Sequence, residues 1–222
     1  MAQTIGRTMS TAAQVRPFRE EIASALIQAG AAAASAVGLV YLVTRVWRQQ
    51  DALGLAAIVV YGAAMFIAFL TSALYHGVQQ EHIKPVLRAI DHCTIFLFIA
   101  GTYTPVALLP LRHHAGGILL ASIWTLAIVG IVLRLMNEAF FRRIAVPLYL
   151  AMGWLCLGWG LPLYQMVGTV PISLMFAGGL SYTGGLLFYR WGRLPFSTPM
   201  WHLCVVAGST SFFFAITRFL QM

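Results

Sequence analysis

Seven apolar runs follow one another along the chain, at residues 22–44, 52–76, 89–111, 115–133, 144–168, 171–189 and 199–217. At 1.5 Å of rise per residue, about 20 apolar residues cross the ~30 Å hydrocarbon layer of a bilayer, and every run meets that length to within a residue or two. Backbone groups in lipid must be satisfied within their own segment, so the runs are expected to be helices. The strands of a barrel would alternate in polarity and be about half as long. Charged residues are 9% of the chain and hydrophobic ones 60%, too few charges to cover a water-soluble surface of this size. The expected fold is an all-α integral membrane protein with seven transmembrane helices.

The pieces between runs are too short for a soluble domain, leaving residues 1–21 as an N-terminal segment and 22–222 as one transmembrane domain. Run 22–44 is too long and too evenly apolar for a cleaved signal peptide, so it is expected to remain as the first span. Pro105, in GTYTP, falls inside the third run and is expected to bend it. Ala177, Ser181 and Gly185 form a small-residue stripe where a neighbouring helix can approach.

A net charge of +8 raises nucleic acid as a partner, but the placement of the charges argues against it. With seven crossings, the side of the N-terminus holds Arg7, Arg16, Arg19, Lys84, Arg88, Arg134, Arg142, Arg143, Arg190 and Arg193. The other side holds Arg45, Arg48, Arg112 and Arg218. Ten against four is the bias of cytoplasmic loops, so the N-terminus is expected in the cytoplasm and the C-terminus outside. Cys93, Cys156 and Cys204 all lie in apolar runs with no paired spacing, which reads as small hydrophobes rather than a metal set.

Against this background a few polar groups stand out. TSALYHGVQQEHIKPVLRAIDHCTIF, residues 71–96, places Ser72, His76, Asp91 and His92 at the junction of two runs, and His202 falls in the first turn of the last run. The alternating direction of the spans puts His76, Asp91 and His202 at one depth. Asp91 is the one carboxylate within the seven runs, and ionisable groups inside a membrane commonly mark function. Ser72 and His76 are four apart, so Ser72 is expected to reach the imidazole or a water on it. Two imidazoles and a carboxylate from separate helices can hold Zn²⁺ at about 2.0–2.2 Å and leave a position for water.

SALYH at 72–76, AIDHCTIFLFIAGTYTPV at 89–106 and MWHLCVVAGSTSFFFAI at 200–216 resemble the hemolysin III family, the bacterial branch of the progestin and adipoQ receptor family. EEIASALIQAG at 20–30 fits the start of that family, and the likeness covers nearly the whole chain in order. The resemblance implies seven spans with a cytoplasmic N-terminus in a bacterial plasma membrane. It also implies zinc held by a histidine of SxxxH on the second span and two of HxxxH opening the seventh, with an aspartate nearby. His76 takes the first place, Ser72 its partner, Asp91 the aspartate and His202 the later histidine of HxxxH. The earlier histidine falls on Thr198, and histidines usual near 28 and 212 are replaced by Gln28 and Phe212. With one ligand missing, Asp91 is expected to bind the metal directly, or His82 to fold over from its loop. His113 and His114 are expected to be solvated on the far side.

Two classes of function follow. One is a zinc-dependent hydrolase of a membrane lipid amide or ester, with metal ligands His76, His202 and Asp91, Asp91 as general base and Ser72 orienting the site. Likeness of the family to ceramidase-like membrane hydrolases supports it. The other is a non-catalytic sensor or regulator of lipid or energetic state. The family name implies haemolysis, but no acidic or basic stripe lines a channel within a run.

Overall fold

In a computed structural model, residues 18–49, 51–191 and 193–221 are described. The chain folds into α1 (Phe18–Trp47), α2 (Ala52–Gly77), α3 (Lys84–Leu108), α4 (Gly116–Met136), α5 (Glu138–Gly153), α6 (Gly160–Val167), α7 (Thr169–Arg190) and α8 (Ser197–Phe219). A 3₁₀ turn, Leu155–Trp159, joins α5 to α6. With α5, the turn and α6 taken together as Glu138–Val167, seven helical segments among the described residues are long and apolar enough to cross a membrane.

Three boundaries differ from the runs read in the sequence, each for a physical reason. Of the segment 1–21, residues 1–17 lie outside the described residues and 18–21 already belong to α1. Glu20 and Glu21 are buried there with partners, so the helix includes acids that a hydropathy limit leaves out. α3 starts at Lys84 rather than near 89, with Pro85 in its first turn, where a missing N–H costs nothing. The fifth run is not one helix: glycines at 153, 158 and 160 and Pro162 interrupt it. The groups freed by the break are met by Tyr103, whose hydroxyl donates to Gly153 O at 2.9 Å and accepts from Cys156 N at 3.0 Å. Non-helical backbone at membrane depth persists only with such partners. α3, by contrast, continues through Pro105 to Leu108.

The helices pack in sequence, α1 on α2, α2 on α3 and α3 on α4, while α8 closes against both α7 and α1. Small residues set the closest approaches. A Cβ at Gly101 would come within 2.6 Å of Ala64 Cβ, and one at Gly185 within 2.7 Å of Cys204 Cβ. Ser181 Oγ donates to Cys204 O at 2.8 Å, so two of the three stripe residues do face α8. Ala177 is exposed, and Gly178 takes its place against the Phe212 ring. The three cysteines are half-buried and unpaired.

This order of packing gathers the start of α1, the end of α2 and the starts of α3 and α8 at one end of the bundle, as Glu21 bonded to His76 and Lys84, and Glu20 bonded to Phe196, show. The other end is closed by Gln49 Nε2 donating to Leu220 O at 2.7 Å.

Candidate functional site

The site is a cavity of about 390 Å³ that opens among α1, α2, α3, α5, α7 and α8. Ser72, His76, Asp91, Thr198 and His202 all border it, so the three expected metal ligands and the two positions beside them reach one space. Its deeper wall is mainly apolar and aromatic, with Phe69, Phe98, Ile99, Trp154 and Phe212 beside Thr102 and Thr183. A volume in the range of ligand pockets, about 300–1,000 Å³, with a few polar groups at one end is the usual form of a site for a largely apolar molecule.

His76 is 2% and His202 6% exposed. Their Nε2 atoms lie 3.0 Å apart, with the rings nearly edge to face. On the far side of His202, Gln28 Nε2 donates to Nδ1 at 2.7 Å and to Ser72 Oγ at 3.1 Å. On the far side of His76, Nδ1 donates to Glu21 Oε2 at 3.3 Å. The same carboxylate oxygen accepts from Lys84 Nζ at 2.8 Å. Its neighbour Glu20 accepts the backbone N–H of Phe196 at 2.8 Å, just ahead of α8, where Phe196 holds a left-handed φ of 57°.

With the Gln28 amide turned as it is here, one set of proton positions suits this chain of bonds. A carboxylate can only accept, so His76 carries its proton on Nδ1 and offers a lone pair at Nε2. His202 must then donate from Nε2, which leaves its Nδ1 to accept from Gln28. An amide nitrogen can only donate, so the two ends of the chain require the same answer.

Ser72 is buried but takes its hydrogen bond from Gln28 across the helix interface, where the sequence suggested His76 on its own helix. Asp91 is half-buried on the cavity wall. His92, one residue on, is turned toward α4, where Arg134 Nε donates to its Nδ1 at 3.2 Å. His82 is exposed and does not border the cavity, so it does not fold over the site. His113 and His114 are exposed at the opposite end, as expected. Thr198 stands in the first turn of α8, buried, four residues before His202.

The residues missed by sequence reasoning are Glu21 and Gln28 as partners of the histidines. A signal was present: Glu21, Ser24, Gln28 and Ser35 recur at helical spacing in an otherwise apolar helix, and all four are buried. Ser24 Oγ and Gln28 Oε1 have no hydrogen-bond partner among the described residues.

Among the described residues no group of three or more His, Cys, Asp or Glu is clustered closely enough to hold a metal ion. The two imidazoles nevertheless suit a shared ion. Nitrogens bound at 2.0–2.1 Å to one tetrahedral ion sit about 3.3 Å apart, close to the 3.0 Å seen here. For both Nε2 atoms to be ligands, the His202 proton must sit on Nδ1, which then needs an acceptor. The unpartnered Oε1 of Gln28 reaches that place when the amide turns over.

Seven apolar helices around a buried polar cluster define a multi-pass integral membrane protein. The chain belongs to the Haemolysin-III related family, which it matches over residues 18–213. It is 38% identical over 198 residues to Hemolysin-3 of Bacillus cereus, covering 89% of this chain and 90% of that one. It is 35% identical to the Hemolysin-3 homolog of Bacillus subtilis (strain 168), covering 90% and 93%. More distantly, it is 28% identical over 173 residues to the human Monocyte to macrophage differentiation factor, covering 72% and 69%. Bacterial relatives of this kind, with seven apolar spans, place it in the bacterial plasma membrane.

Proposed function

We propose that the protein is a metal-dependent membrane hydrolase acting on a lipid amide or ester, with its site at the cytoplasmic end of the bundle. One observation carries the reading: two buried imidazoles meet at 3.0 Å on the wall of a cavity that Asp91 also borders, with apolar side chains such as Phe69, Phe98 and Ile99 lining it further in. His76, His202 and Asp91 would hold Zn²⁺, which supplies Lewis-acid activation of water and of an acyl oxygen when bound. The apolar depth of the cavity receives the acyl chain and keeps bulk water out. Asp91 accepts a proton from the attacking water and returns it to the leaving group, the usual exchange for a general base. Ser72 fixes Gln28, and through it the His202 ring. The location at the cytoplasmic end follows from the Lys and Arg excess at that end.

A second reading, a non-catalytic sensor of lipid state, is favoured by the direct bond between the two histidines and by the absence of a third clustered donor among the described residues. Protein purified without chelator decides between them. The hydrolase reading expects bound zinc and cleavage of a fluorescent N-acyl or O-acyl lipid, lost in Asp91→Asn. Zinc-free protein that cleaves neither lipid after reconstitution with zinc leaves the sensor reading standing.

A further inference from the structure

We propose that Glu21 is a positioning residue for the histidine pair: it holds the His76 proton on Nδ1, so that the Nε2 lone pair faces His202 and the cavity.

The geometry supports this from three sides. First, the Glu21 side chain is 6% exposed, and a buried carboxylate must be paired. Lys84, at 2.8 Å on the same oxygen, supplies the countercharge. Toward Glu21, His76 then serves as a hydrogen-bond donor through Nδ1, which leaves Nε2 as the nitrogen that faces His202. Second, the first turn of α1 is fixed in rotation. Adjacent residues on a helix point about 100° apart. Glu21 bonds to α2 and α3, while Glu20 bonds to the backbone just before α8. A rotation of α1 that relaxed one contact would break the other. Third, a carboxylate on the outer nitrogen of a ligating histidine sets its tautomer and ring orientation and raises its basicity.

The two rings are thus prepared unequally. His76 already has the tautomer that a metal ligand needs, whereas His202 carries its proton on the inner nitrogen. Binding of an ion between them would require that proton to appear on Nδ1 and Gln28 to present Oε1. Glu21 is the fixed end of the chain and Gln28 the end that turns. This last part rests on the zinc reading, but the tautomer of His76 does not.

The test is nitrogen-15 NMR of metal-free protein labelled at histidine, with His76→Asn and His202→Asn used to assign the signals. Opposite tautomers are expected, Nδ1–H at His76 and Nε2–H at His202. In Glu21→Leu the His76 signal should shift to mixed or Nε2–H character, while Lys84→Ala, which keeps the carboxylate, should retain Nδ1–H. Zinc titration of Glu21→Leu should show an affinity lower by about 10- to 100-fold, the usual loss when the partner of a ligating histidine is removed. His76 found as Nε2–H in the unmutated protein would overturn the proposal without any variant. So would an unchanged Nδ1–H signal in folded Glu21→Leu. Absence of zinc binding by every form would overturn the hydrolase reading and leave the tautomer result intact.

Discussion

At one end of the bundle His76 and His202, from different helices, are almost wholly buried and face each other at 3.0 Å. At the other end His113 and His114 stand side by side in the turn between α3 and α4, exposed. Two ion pairs divide in the same way. Glu21 and Lys84 meet at 2.8 Å with side chains 6% and 27% exposed, whereas Asp51 and Arg112 stand 3.8 Å apart at 32% and 47%. The residue types in these pairs are alike, histidine beside histidine and a carboxylate beside a basic group. What separates them is removal from water, which makes each donor and acceptor dependent on one particular partner. Exposed pairs contribute about 0–1 kcal/mol and fix no geometry.

The largest effect expected from this contrast is topological and all-or-none. A membrane-impermeant maleimide added to intact cells should label His113→Cys, and should label His82→Cys only after the membrane is opened. The reverse pattern would turn the molecule over and place the site outside.

Next in size is loss of a site histidine. His202→Ala should lower zinc affinity by more than the about 100-fold that loss of an outer partner can cost. The paired control, His113→Ala with His114→Ala, should leave zinc affinity unchanged and alter stability by less than about 0.5 kcal/mol. Zinc titrations after chelator treatment and thermal melts in detergent read both. Equal loss from the two ends would erase the distinction between them.

The smallest expected change is a gain. Thr198 is buried in the first turn of α8, borders the cavity and precedes His202 by one helical turn. Thr198→His should add an imidazole to the pair and tighten zinc binding by about tenfold, or ~1.4 kcal/mol, with a matching rise in zinc-dependent melting temperature. Equal, tight binding by both forms would mean that Asp91 already completes the native set.

Much of this was legible in the chain. The seven crossings follow from run length alone, because lipid leaves the backbone no alternative to helix. His76, Asp91 and His202 could be placed at one depth from the alternating direction of the spans, and they do border one cavity. Glu21 was hidden by its position one residue outside an apolar run. Hydropathy discards the charged residue that starts a span, although Lys84 and His76 make its burial tolerable. The Gln28 bond to His202 depends on how α1 and α8 meet, a contact 174 residues apart in sequence with no local signature. The break after Gly153 was hidden for another reason: glycine and proline are common in membrane helices that do not break.

That break bears on how the protein fits bilayers of different thickness. Six crossings are single helices, whose length is set by their residue count. The fifth contains five 3₁₀ residues. Because 3₁₀ rises about 2.0 Å per residue and α about 1.5 Å, converting those five between the two patterns changes the length of the span by about 2.5 Å. It is also the span with least of itself inside the protein, 6% of its apolar window against 50% for α2. A change of that size is comparable to the few-ångström differences in thickness between bilayers that a span must match.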